Sequence, residues 1–370
     1  MLFLPKIGQG TGYDLYKDKI NKRKISYILD KGIELGLNLI DTAENYNMGE
    51  TEKIIGDIIR KRREKVIIST KFSSENSSHK KLIKACDRSL KRLRIDSIDI
   101  YQIHWPNPKV PLEETLNALI CLKKSGKIKE FGAGNFSLQQ LSKTRTFLKK
   151  EKLFSLQTEF NVFERTIEQN GVYNHCQKNG INIIAFSPLD QGRLSATNKK
   201  QEKLLKEISK RHNKTVAQII LAWIISKKII TPIPMTLNPK HLLENADAVS
   251  VSLNDEELNQ IDKTFYNKLE FIPVDSIRVL AQGERNSPAY KTLKEAYENR
   301  LGLVPTPREL AKELKESGFL KPVRLIRAKS SSEKFKYDLI SGRIRYWAWV
   351  IAYGKSKPIP AYIRVHLKID

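Results

Sequence analysis

Four side chains able to give up or stabilise a proton stand at the ends of three successive apolar runs: Asp41 and Tyr46, Lys71, and His104. Leu37-Asn-Leu-Ile-Asp41 leads into Thr-Ala-Glu-Asn-Tyr46. Val66-Ile-Ile-Ser-Thr ends in Lys71, and Asp99-Ile-Tyr-Gln-Ile ends in His104, followed by Trp105 and Pro106. In a parallel barrel the ends of neighbouring strands converge on one mouth, so residues far apart in sequence can meet there. A carboxylate, a phenol, an ammonium and an imidazole in one cleft make a proton-donating site. A free phenol, with a pKa near about 10, is a reluctant acid at neutral pH. A neighbouring ammonium favours its ionised form.

The elements that would position these residues follow a repeating pattern. Short apolar, β-branched runs fall around 7–11, 37–41, 66–70, 98–103, 128–133, 154–159, 181–186 and 229–232. Amphipathic stretches lie between them, such as Leu112 to Ser125 with Leu112, Leu116, Leu119, Ile120 and Leu122 near helical spacing. Eight strands, each followed by a helix, close most naturally into a (β/α)₈ TIM barrel over residues 1–266. Gly126 and Gly180 sit where a helix should stop before the next strand. Asn254 or Asp255 caps one more helix.

The pattern changes near 267–273, and residues 270–370 read as a small α+β domain. A polar, helical stretch runs to about Gly318. Then come a strand at Pro322–Ile326, a second at Lys336–Ile340, an aromatic-rich helix from Arg343, and a last strand near Ile359–Val365.

Composition bounds the setting. The 370 residues are 40% hydrophobic and 29% charged, as in a soluble globular protein. No apolar run reaches the roughly 18 residues of a membrane span, and Met1-Leu-Phe-Leu-Pro5 is too short for a signal-peptide core. The cytoplasm is the expected compartment, with no membrane partner. Cys86, Cys121 and Cys176 form no CxxC pair and no Cys/His cluster, so reduced structural thiols and no metal site are expected. The formal charge is +25. Residues 270–370 hold 20 Lys/Arg against 11 Asp/Glu, a net of +9, and the remainder carries +16. Such scattered excess argues for a cleft that attracts phosphorylated cofactors rather than for a nucleic-acid surface.

The segment Asp41-Thr-Ala-Glu-Asn-Tyr46-Asn-Met-Gly49-Glu-Thr-Glu52, with Lys71 and Ile103-His104-Trp105-Pro106, resembles the aldo-keto reductase superfamily from about Ile7 to Phe265. The resemblance implies NAD(P)H-dependent reduction of a small-molecule carbonyl, or the reverse alcohol oxidation. Tyr46 would donate the proton, Lys71 would assist it, Asp41 would hold the lysine charged and aimed, and His104 would hydrogen-bond the substrate oxygen. It also implies a cofactor site. Asn135 and Gln157 would hold the nicotinamide carboxamide, and Phe186, where tyrosine is common, would stack on the ring. Ser187 and Leu189 would lie along the pyrophosphate. Ile233-Pro-Met-Thr-Leu-Asn-Pro-Lys-His-Leu-Leu-Glu-Asn245 matches the adenosine end, with Thr236, Lys240 and His241 toward a 2′-phosphate and Glu244 and Asn245 toward the adenine. NADP is the expected cofactor, with NAD as the alternative because Met235 stands where glycine or lysine is common. Core packing of Phe186 and Leu189, and plain helix-start chemistry for Lys240 and His241, are the competing readings. Leu15 and Trp105 could line the substrate pocket. Members usually begin with a β-hairpin that plugs the barrel bottom; here the first expected strand comes almost at once, so the bottom is expected to be open or covered by the appended domain.

Residues 270–370 resemble the ParB/sulfiredoxin-like fold through Leu310–Val323, Tyr337-Asp-Leu-Ile-Ser-Gly342-Arg-Ile-Arg345 and Ile359–Arg364. The resemblance implies a nucleotide or phosphate site at Gly342, Arg343 and Arg345, with Glu284 and Arg285 as a second contact. Sulfiredoxin's cysteine is absent from this turn. Trp347 and Trp349 are expected to pack rather than stack on bases. The alternative to an enzyme with an appended nucleotide-binding domain is a cofactor-sensing regulator or scaffold whose C-terminal domain binds nucleotide or nucleic acid.

Overall fold

The computed structural model describes residues 2–13, 21–60, 62–149, 151–190, 192, 199–280, 290–303, 305–317, 320–332 and 335–364. Leu15, Glu284 and Arg285 lie outside them. The chain divides into two compact units, the first ending at Phe265 and the second running from Tyr266.

The first unit is an eight-stranded parallel sheet: β1 (Gln9–Gly10), β2 (Leu39–Asp41), β3 (Ile67–Phe72), β4 (Ile98–Ile103), β5 (Ile128–Gly134), β6 (Ser155–Glu159), β7 (Asn182–Phe186) and β8 (Ile230–Pro232). Each strand pairs with its sequence neighbour. Gly8 N–H donates to Pro232 O at 3.0 Å and Gly10 N–H to Pro234 O at 3.1 Å, which closes β8 onto β1. The strands are buried on both faces, because helices such as His79–Leu93 and Leu112–Lys124 cover the outside. Gly180 ends its helix with φ 62°, and Asn254 accepts from Glu257 N–H in a reciprocal capping box.

Strand parity explains which side chains enter the barrel. Leu39, Ile100, Phe154, Ile184 and Ile233 form an interior apolar cluster against which Ile67 and Phe186 pack. Two residues further along the same strands stand Asp41, Ser69, Gln102 and Phe186, and two beyond Ser69 and Gln102 stand Lys71 and His104. An apolar floor thus gives way to polar residues toward the strands' C-terminal ends. The chain's own start settles against the floor: Leu2 and Leu4 pack on the interior cluster while Phe3 faces out, and Thr231 Oγ1 donates to Pro5 O at 2.9 Å. Leu2 and Leu4 thus add apolar side chains to the interior cluster at the floor of the barrel.

The second unit is a five-stranded mixed sheet. Its strands are β9 (Glu270–Ile272), β10 (Ile277–Val279), β11 (Val323–Ser332), β12 (Phe335–Ser341) and β13 (Ile359–Arg364), in the order β10-β12-β11-β13-β9. β11 runs antiparallel to β12 and parallel to β13. Tyr346, Trp347, Trp349 and Val350 from the helix Arg343–Tyr353 enter the core of this unit. The indole N–H groups of Trp347 and Trp349 donate to Tyr290 O and Lys357 O, each at 2.9 Å. Both rings are therefore core members.

Candidate active site

Asp41, the last residue of β2, and Lys71, the penultimate residue of β3, meet inside the barrel. Lys71 Nζ lies 2.7 Å from Asp41 Oδ2 and donates to Thr42 O at 2.7 Å, with the lysine only 2% exposed. Burial works against the ammonium, but the Asp41 carboxylate and then the Tyr46 oxygen outweigh it, and the Lys71 pKa is raised. A buried pair of this kind holds its charge because each ion is the other's solvent.

Tyr46 follows β2 by five residues. Its ring centroid is 5.2 Å from Lys71 Nζ, and its ring meets that of His104 edge-on with centroids 5.9 Å apart. Asn47 and Met48 carry φ of 51° and 55°, turning the chain sharply after the phenol. Asn47 Nδ2 donates to Tyr13 O at 2.7 Å and fixes that turn. Burial, and secondarily the Lys71 charge, push the His104 pKa down to about 3, so the imidazole is neutral at physiological pH. Its Nδ1 is buried without a partner. A stranded N–H costs more than a stranded lone pair, so the ring proton belongs on Nε2.

Neighbouring loops hold this group in place. Glu44 accepts from Ser73 N–H at 2.7 Å and Asn76 Nδ2 at 2.6 Å, joining the loops after β2 and β3. Glu52 accepts from Thr70 Oγ1 at 2.7 Å and Arg92 Nε at 2.6 Å. Gly49 has φ 87°, and a Cβ there would lie 2.6 Å from Arg92 Cδ. The glycine and glutamate of the Gly49-Glu-Thr-Glu52 stretch thus support the strand that carries Lys71. Gly12, which the sequence reading passed over, is beside the phenol: a Cβ there would be 3.9 Å from the Tyr46 hydroxyl oxygen.

The residues expected to hold a dinucleotide lie at the C-terminal ends of β5 to β8. Asn135 has φ 59°, which turns its side chain toward His104 O, with Nδ2 at 3.4 Å. Gln157 is buried in β6, and its Nε2 has no partner. A buried donor left open in this way is rare, and it suits the carboxamide oxygen of a nicotinamide. Phe186 ends β7 half-buried and packs on the interior cluster. Ser187 has φ 49°, and its carbonyl accepts from Asn161 Nδ2 at 3.0 Å. Leu189 packs against the outer core. At the adenosine end, Thr236 O accepts from Tyr13 Oη at 3.1 Å, and Asn238 caps the helix Pro239–Asp247 through Lys240 N–H. Lys240 and His241 are exposed at that helix start, Glu244 is half-buried 4.0 Å from Lys240 Nζ, and Asn245 is buried.

In the second unit, Gly342 opens the helix Arg343–Tyr353 with φ 94°. Arg345 Nη1 donates to Lys321 O at 2.9 Å and Pro322 O at 2.7 Å, tying the helix start to the chain entering β11. Arg343 occupies the first helical position.

The pattern of the aldo/keto reductase family matches residues 6–265. The methylglyoxal reductase YeaE of Escherichia coli is 34% identical over 262 residues, 71% of this chain and 91% of that protein. The glyoxal reductase of Bacillus subtilis is 33% identical over 233 residues, 62% of this chain and 79% of that one. Among solved structures, an aldo/keto reductase from Klebsiella pneumoniae in complex with NADP and acetate superposes with a TM-score of 0.66 at 30% identity, covering 71% of this chain and 92% of that one. By its barrel, this chain belongs to the aldo/keto reductase family and is an NAD(P)-dependent oxidoreductase.

Proposed function

We propose that the barrel reduces a small aldehyde or ketone with NADPH, Tyr46 being the proton donor. The observation that carries this reading is the buried Lys71, charged between Asp41 and Tyr46 at the mouth. When bound, the nicotinamide cofactor supplies the hydride that reaches the carbonyl carbon. The Tyr46 phenol gives its proton to the carbonyl oxygen, completing the alcohol, and Lys71 stabilises the phenolate left behind. Asp41 keeps the lysine charged and aimed. His104, neutral and carrying its proton on Nε2, donates a hydrogen bond to the same oxygen and orients it. The relatives named for methylglyoxal and glyoxal make small dicarbonyls the first substrates to try. A regulator that only sensed cofactor would have no use for a buried charge pair at the phenol.

For the cofactor, Asn135 and Gln157 would hold the carboxamide, Phe186 would stack on the ring, and Ser187 and Leu189 would border the pyrophosphate. Thr236, Lys240 and His241 would take the 2′-phosphate, with Glu244 and Asn245 at the adenine. The open Gln157 Nε2 supports this assignment. Gln157→Leu weakens NADPH binding about tenfold, the loss of one well-placed hydrogen bond in a buried site. Quenching of protein fluorescence by NADPH reads the affinity, and an unchanged Kd would remove Gln157 from the site. The three unpaired cysteines suit a reducing compartment such as the cytoplasm.

For the second unit we propose the ParB/sulfiredoxin-like reading, a nucleotide-phosphate site at Gly342–Arg345. Its support is the left-handed Gly342 opening a helix whose first turn carries Arg343 and Arg345. Arg345 would act by holding the turn, since its Nη1 already serves Lys321 and Pro322. Calorimetry of the full chain with ATP or CTP should give binding that Arg343→Ala weakens at least about tenfold, the share of a charge-assisted contact. Absence of heat with either nucleotide, or indifference to Arg343→Ala, would end this reading.

A further inference from the structure

A row of polar side chains crosses the barrel interior and ends on Asp41. Ser155 Oγ donates to Gln102 Oε1 at 3.1 Å, Gln102 Nε2 donates to Ser69 Oγ at 2.8 Å, and Ser69 Oγ donates to Asp41 Oδ1 at 2.9 Å. All four residues are buried, and they come from β6, β4, β3 and β2. β5 contributes an empty place: a Cβ on Gly132 would lie 2.3 Å from Ser155 Oγ and 2.8 Å from Gln102 Oε1. Glycine is what lets the row pass. The interior of such barrels is usually filled by branched apolar residues, and buried polar groups cost stability unless each is bonded.

The sense of the row is forced. A carboxylate only accepts, so the Ser69 hydroxyl must turn its proton to Asp41 Oδ1. Its lone pairs then face Gln102, so the amide atom there must be the nitrogen, and the amide carbonyl is left for Ser155. Asp41 is therefore gripped on both oxygens, by Ser69 on Oδ1 and by Lys71 on Oδ2. A carboxylate held on one oxygen alone could swing about its last bond. One held on both presents a fixed edge to the lysine, and Lys71 in turn approaches Tyr46 from a fixed place.

We propose that Ser69 and Gln102 are positioning residues for the reduction: the Ser69 hydroxyl, oriented by Gln102, fixes the Asp41 carboxylate that aims Lys71 at Tyr46. Neither side chain is assigned to touch the carbonyl. The inference rests on the reading of Tyr46 as proton donor.

The test compares Ser69→Ala, Gln102→Leu and the double variant in the full chain, with methylglyoxal and NADPH. Each single change lowers kcat about tenfold, with KM and the NADPH Kd held within about twofold, because the loss is of alignment and not of binding. The solvent deuterium isotope effect on kcat rises in both, as proton transfer becomes more rate-limiting. The double variant is no slower than Ser69→Ala alone, since Gln102 acts only through the Ser69 hydroxyl. A purely structural row would lower the melting temperature and leave kcat and the isotope effect in place, and that result overturns the inference, as do additive losses in the double variant. If Ser69→Ala fails to fold, Gln102→Leu, close in volume to the native side chain, carries the same comparison. Tyr46→Phe run alongside separates the two claims. Full turnover there removes the proton donor itself, whereas a dead Tyr46→Phe with wild-type Ser69→Ala and Gln102→Leu removes only the positioning role.

Discussion

Replacing Tyr46 by phenylalanine lowers kcat for carbonyl reduction about a thousandfold, within the range by which a positioned general acid accelerates a reaction. Only one oxygen is lost. The ring keeps its edge-on contact with His104, and Lys71 keeps Asp41 and Thr42 O as partners. The sharp turn at Asn47 and Met48 is held by the Asn47 side chain, which the change does not touch. The NADPH Kd and the melting temperature should therefore stay near those of the unchanged protein, while stopped-flow oxidation of NADPH in the presence of methylglyoxal almost ceases. The comparison is informative because His104 remains. A neutral imidazole can still polarise the carbonyl, but it is a poor source of the proton: giving up its Nε2 proton would leave a buried imidazolate. Turnover of Tyr46→Phe within about tenfold of wild type would show that the acid lies elsewhere, since so small a loss is below what general acid catalysis contributes.

The positions of these groups were legible because strand ends announce themselves. The runs expected at 98–103, 128–133 and 181–186 are the strands Ile98–Ile103, Ile128–Gly134 and Asn182–Phe186. A lysine or histidine closing such a run has to leave the apolar pattern at the barrel mouth. Strands read as five residues at 7–11 and 37–41 are shorter, Gln9–Gly10 and Leu39–Asp41, because only these residues pair with the neighbouring strands. What the sequence hid was polar chemistry inside a strand. Ser69 and Gln102 break an apolar run without any periodic signal, and only the folded parity reveals that they meet on adjacent strands inside the barrel. Gly12 and Gly132 were invisible for a related reason: a glycine's contribution is the space it leaves, which exists only once the neighbours are in place. In the second unit, β9 and β10 were missed because three residues are too few to carry an alternation. Leu2 and Leu4 escaped notice likewise, belonging to a segment with no regular element of its own.

The Asp41–Lys71 pair yields the second large effect, on stability as well as rate. Lys71→Met leaves the Asp41 carboxylate buried with Ser69 as its remaining donor. Removing one member of a buried ion pair typically costs about 3–5 kcal/mol, since the other charge is left unsolvated. In a unit of this size that corresponds to a fall of roughly 5–10 °C in the midpoint of the barrel's unfolding. The double variant Lys71→Met with Asp41→Leu removes both charges, and apolar side chains in place of a buried pair are often neutral or better. Its midpoint should return most of the way, although neither variant reduces a carbonyl, because Tyr46 has lost its cation in both. Stability and activity then part company: the double change restores one and not the other. Differential scanning calorimetry with NADPH oxidation measured on the same samples reads both quantities. A Lys71→Met midpoint equal to wild type would mean that the carboxylate finds another partner, and the charge pair would lose its place at the centre of the site. Equal destabilisation of the single and double variants would mean that the cost lies in packing around the lysine stem, and that the barrel keeps this pair for shape and not for charge.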